Sequence, residues 1–194
     1  MTRPNTRSQS KSAVASKDTD NEADQRPKKT ITKNESSKAK VAESSNSVLE
    51  VGSAVPDHKL LNSDGEEVSI LDLCKDSAIV VFMYPKANTP GCTKQACGFR
   101  DESEKFSSLG YQIFGLSADS PAALAKWKEK YNLSYQLLSD QSRSLIKDFG
   151  ALKLPNSTRR SHVIIDKGGV IKAIELDVSP LESIEKALAF VDKE

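Results

Sequence analysis

Two cysteines five residues apart, Cys92 and Cys97, are the side chains best suited to do chemistry in this chain. They lie in Val80-Val81-Phe82-Met83-Tyr84-Pro85-Lys86-Ala87-Asn88-Thr89-Pro90-Gly91-Cys92-Thr93-Lys94-Gln95-Ala96-Cys97. There an apolar, β-branched run stops at a proline, crosses a short turn and meets a helical stretch. The thiolate, not the thiol, is the nucleophile, so the surroundings of the sulfur decide its use. Cys92 falls where the first turn of a helix should be, and free N–H groups and the positive end of the helix dipole favour a negative sulfur there. Thr89, three residues earlier, brings a hydroxyl that can donate to the thiolate or accept from a bound substrate. Pro85 and Pro90 stiffen the loop, and Pro85 offers an apolar wall without a competing N–H. A cation to pair with the sulfur must arrive from elsewhere in the fold.

The elements that must position this stretch are legible around it. Ala78 to Tyr84 is a continuous apolar run, which suits a central strand buried on both faces. The helix that starts near Pro90 is expected to run to about Ser108. Upstream, Val55-Pro56-Asp57 reads as extended, Lys59–Leu61 and Glu67–Ser69 flank an Asp64-Gly65 turn as a hairpin, and Ser69 to Lys75 reads as a helical turn holding Cys74. Downstream come a strand at Tyr111–Ser117, a helix begun by Ser120-Pro121, a strand at Tyr135–Leu138 and a short helix from Ser144 to Phe149. A polar loop from Ala151 to Arg159 follows, then a hairpin of Ser161–Asp166 and Val170–Glu175, then a helix capped by Ser179-Pro180 with Leu181, Ile184, Leu188 and Val191 on one stripe. Asp119 and Asp140 follow strand ends and are expected to cap the next element. Trp127, spaced with Leu124, is read as core. This order predicts an α/β layer architecture with a mixed central sheet flanked by helices, compatible with a thioredoxin-like fold.

Composition divides the chain of 194 residues into a tail, 1–46, and a domain, 47–194. Residues 1–45 hold ten Lys/Arg and six Asp/Glu, a net charge of +4, and the remainder is net −3. The tail has no aromatic residue and too little apolar area to offset its ordering entropy, which predicts disorder. Arg26-Pro27-Lys28-Lys29 within it is a short basic cluster of the import-signal type, against which stands plain solvated charge. The acid-free first 17 residues raise a transit peptide as a rival, but Ala13-Val14-Ala15 is too little for an apolar helical face. No apolar h-region follows Met1, which predicts no secretory signal, and the longest apolar run is far short of the ~20 residues that span a bilayer. Three cysteines, an odd number, do not make a structural disulfide framework.

Pro85-x-x-x-Thr89-x-x-Cys92 resembles the active-site motif of the peroxiredoxins, and with Cys97 so spaced it resembles the bacterioferritin-comigratory, or peroxiredoxin Q, branch. The likeness covers roughly residues 48 to 190, including Gly115–Ser120, Leu137–Asp140 and Arg160–Asp166. The basic tail adds a resemblance to the fungal nuclear thiol peroxidases of that branch. The resemblance implies a thiol-specific peroxidase for hydrogen peroxide and organic hydroperoxides that protects against oxidative stress. Cys92 would be the peroxidatic cysteine, Thr89 would hydrogen-bond the peroxide, and Pro85 would shield the sulfenate. Arg160 would favour the thiolate and polarise the peroxide. Arg159 is adjacent, but alternation along a strand lets only one of the two face the site. Gln95 matches a position common in the branch, with no role assigned. Cys97 would be the resolving cysteine, closing an intramolecular Cys92–Cys97 disulfide that thioredoxin reduces. No cofactor or metal is expected, resolution within one chain needs no partner and so suggests a monomer, and the basic cluster with the fungal likeness suggests a nuclear, with cytoplasmic, location.

Helix geometry bears on that pairing. Five residues along an α-helix give ~7.5 Å of rise and a swing of ~140°, hence a Cα separation of roughly 8–9 Å. That exceeds the ~7 Å a disulfide tolerates. The expectation is a helix that holds in the reduced state and unwinds on oxidation. The same residues admit other readings. A disulfide oxidoreductase normally uses C-x-x-C rather than C-x4-C, and a redox-sensing regulator is a further alternative. A zinc module needs a second ligand pair that the C-x4-C pair lacks. Nucleic-acid binding by the tail would be non-specific and salt-sensitive. Cys74, with nothing around it to activate a thiolate, is read as structural, and His58 and His162 have no ligand spacing.

Overall fold

The computed structural model describes residues 48–194, so the tail and its basic cluster lie outside the described residues. The chain alternates strands and helices in the order β1 (Lys59–Asn62), β2 (Glu67–Ser69), α1 (Ile70–Leu73), β3 (Ala78–Met83), α2 (Pro90–Asp101), α3 (Ser103–Ser108), β4 (Tyr111–Ser117), α4 (Pro121–Tyr131), β5 (Gln136–Ser139) and α5 (Ser144–Asp148). It closes with β6 (Leu152–Lys153), β7 (Ser157–Thr158), β8 (Ser161–Ile165), β9 (Ile171–Glu175) and α6 (Pro180–Val191). Seven strands form one mixed sheet in the order β2-β1-β5-β4-β3-β8-β9. This is the thioredoxin-like α/β arrangement expected from the element order.

The apolar run of β3 explains its central place. It pairs parallel with β4 and antiparallel with β8, and its side chains alternate between two cores. Ile79, Val81 and Met83 join one cluster with Ile70, Leu145 and Phe149, under α1 and α5. Val80, Phe82 and Tyr84 join the other with Phe99, Leu124, Trp127 and Ile184, under α2, α4 and α6. Strands covered on both faces read as unbroken apolar runs rather than alternating ones. Phe82 fills the second core, stacked on Phe99 at 4.7 Å between ring centroids. Gly115 on β4 leaves that space: a Cβ there would lie 2.8 Å from Phe82 Cζ.

Two expectations need correction. The helix does not run unbroken to Ser108, for the chain turns at Glu102 (φ −97°, ψ 5°) and restarts as α3. The turn keeps Phe106, fully buried, against Phe99 at 5.8 Å. Nor is 151–159 all loop: β6 and β7 pair across it, Leu152 with Thr158 and Lys153 with Ser157. Two-residue strands carry no alternation to read. The Ser120 and Ser179 caps form as expected, with a full capping box at Ser179 and Glu182 on α6. Trp127 is core, 2% exposed.

Candidate active site

The strand-to-helix turn is held from outside itself. Tyr84 is buried and Pro85 exposed, so the chain surfaces within one residue of β3. Asp119 Oδ2 accepts from the Ala87 backbone N–H at 2.8 Å and from Ser117 Oγ at 2.9 Å. Asp119 therefore pins the turn instead of capping α4, a task that falls to Ser120, whose Oγ accepts from Ala123 N–H at 3.4 Å. Asp140 does cap as expected, accepting from the N–H groups of Ser144 and Ile146. Asn88 takes the left-handed conformation (φ 58°) that Asn tolerates best after glycine, and its Oδ1 accepts from Lys130 Nζ. Thr89 is the N-cap of α2 yet makes no side-chain cap bond. Its hydroxyl donates to the Lys86 carbonyl at 3.0 Å, which leaves the oxygen to accept rather than to donate toward the sulfur.

Cys92 lies in the first turn of α2, 1% exposed, where the leading N–H groups have no intrahelical partner. Its cation comes from Arg160. Sheet register brings it there: β8 begins by pairing Ser161 with Met83 at the end of β3, so the preceding residue stands beside the strand exit. Arg160 Nη2 sits 3.5 Å from Cys92 Sγ. Arg159 points away and pairs with Asp177 at 2.9 Å on the surface. Gly91 makes room for this, because a Cβ there would lie 3.2 Å from Arg160 Nη2. The second arm of the guanidinium, Nη1, donates to Gln95 Oε1 at 2.7 Å. Gln95, wholly buried, passes the chain on by donating from Nε2 to Ser183 Oγ at 2.9 Å.

Thus Cys92, Thr89, Arg160 and Gln95 gather at one end of β3 and α2, with Pro85 at the exposed rim. Cys97, half-buried, lies on the next turns of the intact helix, and all three cysteines are free thiols. Cys74 is remote in kind: it is fully buried beyond α1, its Sγ donates to the Ile70 carbonyl at 3.2 Å, and burial pushes its thiol up to about 12. Sequence reasoning missed Asp119 as a turn anchor, and Ser183 altogether. Among the described residues no three His, Cys, Asp or Glu side chains are gathered to hold a metal ion.

The AhpC/TSA family model matches residues 51–174. A fission yeast (Schizosaccharomyces pombe) protein, peroxiredoxin bcp1, is 44% identical over 152 residues, 77% of each chain. A putative peroxiredoxin bcp of Coxiella burnetii is 38% identical over 133 residues, 65% of this chain and 87% of that one. Among solved structures, peroxidoxin BcpB of Mycobacterium tuberculosis superposes with a TM-score of 0.69 at 31% identity, over 75% of this chain and 97% of its own. A free thiol under an arginine at the exit of the central strand of this fold, together with relatives of this closeness, places the chain in the AhpC/TSA family, as a thiol peroxidase of the Bcp/peroxiredoxin Q branch.

Proposed function

We propose that Cys92 is the peroxidatic residue, and the observation that carries this is the Arg160 guanidinium 3.5 Å from its sulfur at the start of α2. The thiolate attacks one peroxide oxygen and the O–O bond breaks. The sulfur keeps that oxygen as a sulfenic acid, and the other oxygen leaves as water or an alcohol once protonated. The arginine and the first-turn N–H groups stabilise the thiolate and then the developing charge on the oxygens. Thr89, its own proton committed to Lys86, accepts the hydrogen of the incoming hydroperoxide. Pro85 lines the approach.

Cys97 then resolves the sulfenic acid. Its sulfur displaces hydroxide from the Cys92 sulfur, which leaves as water, and the two become a disulfide. The intact helix keeps the pair too far apart, so the first turns of α2 must open. Opening releases the Arg160–Gln95 and Gln95–Ser183 bonds and the bond from Tyr135 Oη to the Ala96 carbonyl. A dithiol reductant of the thioredoxin type returns both thiols and is itself oxidised. Resolution within one chain needs no second subunit, hence a monomer. The basic cluster of the tail directs the protein to the nucleus, with a cytoplasmic pool, and deletion of residues 1–46 with imaging checks this.

The experiment is peroxide consumption coupled to thioredoxin. Cys92→Ser is inactive. Cys97→Ser reduces one equivalent of peroxide and does not turn over. Activity surviving in Cys92→Ser overturns the scheme. Hydrogen exchange of α2 that is identical in reduced and oxidised protein overturns the opening step.

A further inference from the structure

The arginine over Cys92 ends a buried polar chain whose direction its own chemistry fixes. An arginine has donors only, so the atom of Gln95 that meets Nη1 at 2.7 Å must be the amide oxygen. The amide nitrogen then faces Ser183 Oγ, which accepts at 2.9 Å. With that acceptance made, the serine proton needs an acceptor of its own. Ser183 Oγ lies 3.3 Å from Nδ1 of His162. We assign the serine proton to that contact, which gives His162 a lone pair at Nδ1 and its hydrogen on Nε2.

Gln95 and Ser183 are fully buried and His162 is 1% exposed, so water is not available to replace a lost partner. Burial also lowers the His162 pKa to about 4, outweighing Glu175 beside it and acting with Lys186. The imidazole is thus neutral at ordinary pH. Three elements meet in this chain: α2 supplies Gln95, α6 supplies Ser183, and β8 supplies His162 two residues after Arg160.

We infer that Ser183 and His162 are positioning residues for the peroxidase reaction, holding the Gln95 amide with its oxygen toward Arg160 and so holding the guanidinium on the Cys92 sulfur. The inference rests on the reading of Cys92 as the nucleophile. Without the acceptor at Nδ1 the serine proton competes for other partners. Without the serine the Gln95 amide is free to turn its NH2 toward the guanidinium, two donors face to face. Neither residue touches the peroxide. Each acts through Arg160, on the thiolate and on the transition state.

Two pairs of variants test it, each contrasting loss of the function with its retention: Ser183→Ala against Ser183→Thr, and His162→Phe against His162→Asn, whose amide oxygen can stand in for Nδ1. The readouts are the rate constant for the first oxidation of the reduced enzyme by hydrogen peroxide, the pH dependence of Cys92 alkylation by iodoacetamide, and thermal melting. The expected result is about a tenfold slower oxidation in Ser183→Ala and His162→Phe, the scale of one buried group left unpaired. Their Cys92 alkylation profile departs from that of the wild type, and both properties return in Ser183→Thr and His162→Asn. Wild-type oxidation and alkylation in a folded Ser183→Ala overturn the inference, as does a change in melting alone. If Ser183→Ala does not fold, the His162 pair decides by the same criteria. Cys92→Ser, run alongside, separates the two claims. Activity there defeats the peroxidatic reading itself, whereas an inactive Cys92→Ser with a normal Ser183→Ala defeats only the positioning role.

Discussion

Cys74 and Cys92 are both buried cysteines at the end of a helix, 0% and 1% exposed, and their surroundings are opposite in sign. Cys74 closes the C-terminal end of α1, where carbonyls point outward. Its sulfur donates to one of them, Ile70, and burial with the nearby Asp166 charge holds the proton on up to about pH 12. Cys92 opens the N-terminal end of α2, where N–H groups point outward and Arg160 lies 3.5 Å away. Burial alone therefore says nothing about whether a cysteine is reactive. The sign of the helix end and the presence of a guanidinium decide it.

The largest effect separates the two thiols. Cys92→Ser is expected to lower the peroxidase rate by at least about 10³-fold, the scale of losing a nucleophile, whereas Cys74→Ser stays within about twofold, as expected of a residue outside the site. Steady-state assays with a thiol reductant check both. In the same spirit, iodoacetamide at pH 9 labels Cys92 and leaves Cys74 intact in the folded protein. Next is the cation that distinguishes the sites. Arg160→Met is expected to slow peroxide reduction by about 10²-fold, as for removal of one oriented charged donor, while Arg159→Met, whose partner is the exposed Asp177, is close to wild type.

A smaller effect reads the packing behind Cys92. His162 titrates near 4 in the fold against 6.5 when free. Between those values the unfolded chain binds the extra proton, so its share of stability is complete above about pH 6.5 and is lost as the pH falls toward 4, at most roughly 3 kcal/mol. Urea melts at pH 7 and 4.5 show this, and His162→Asn reduces the difference. Smallest is Gly98→Ala. A Cβ at Gly98 would collide with Ile184 Cδ1 on α6. Overpacking there outweighs the gain in helix propensity, for a net loss of about 1 kcal/mol in chemical denaturation. A stabilised Gly98→Ala would mean that α2 and α6 are not closely packed.

Local signals made much of this molecule readable. β3 announced itself as an unbroken apolar run, the two hairpins by their Asp64-Gly65 and Gly168-Gly169 turns, and α4 and α6 by Ser-Pro starts. Cys92 was legible because its strand, turn and helix are contiguous. What distance in sequence hid is the supporting cast. Asp119 reaches Ala87 across 32 positions and Gln95 reaches Ser183 across 88, contacts set by sheet order and helix packing rather than by local pattern. Arg160 could be named only through family resemblance, since its approach to Cys92 depends on the register of β8 on β3. The break at Glu102 has neither Gly nor Pro to mark it.

The central claim is that peroxide oxidises Cys92 and no other thiol first. Cys97→Ser protein, treated with one equivalent of hydrogen peroxide in the presence of dimedone and digested for mass spectrometry, tests it directly. The account predicts a single dimedone adduct on the peptide that carries Cys92, with Cys74 unmodified. An adduct on Cys74, or none on Cys92 while peroxide is consumed, would contradict it.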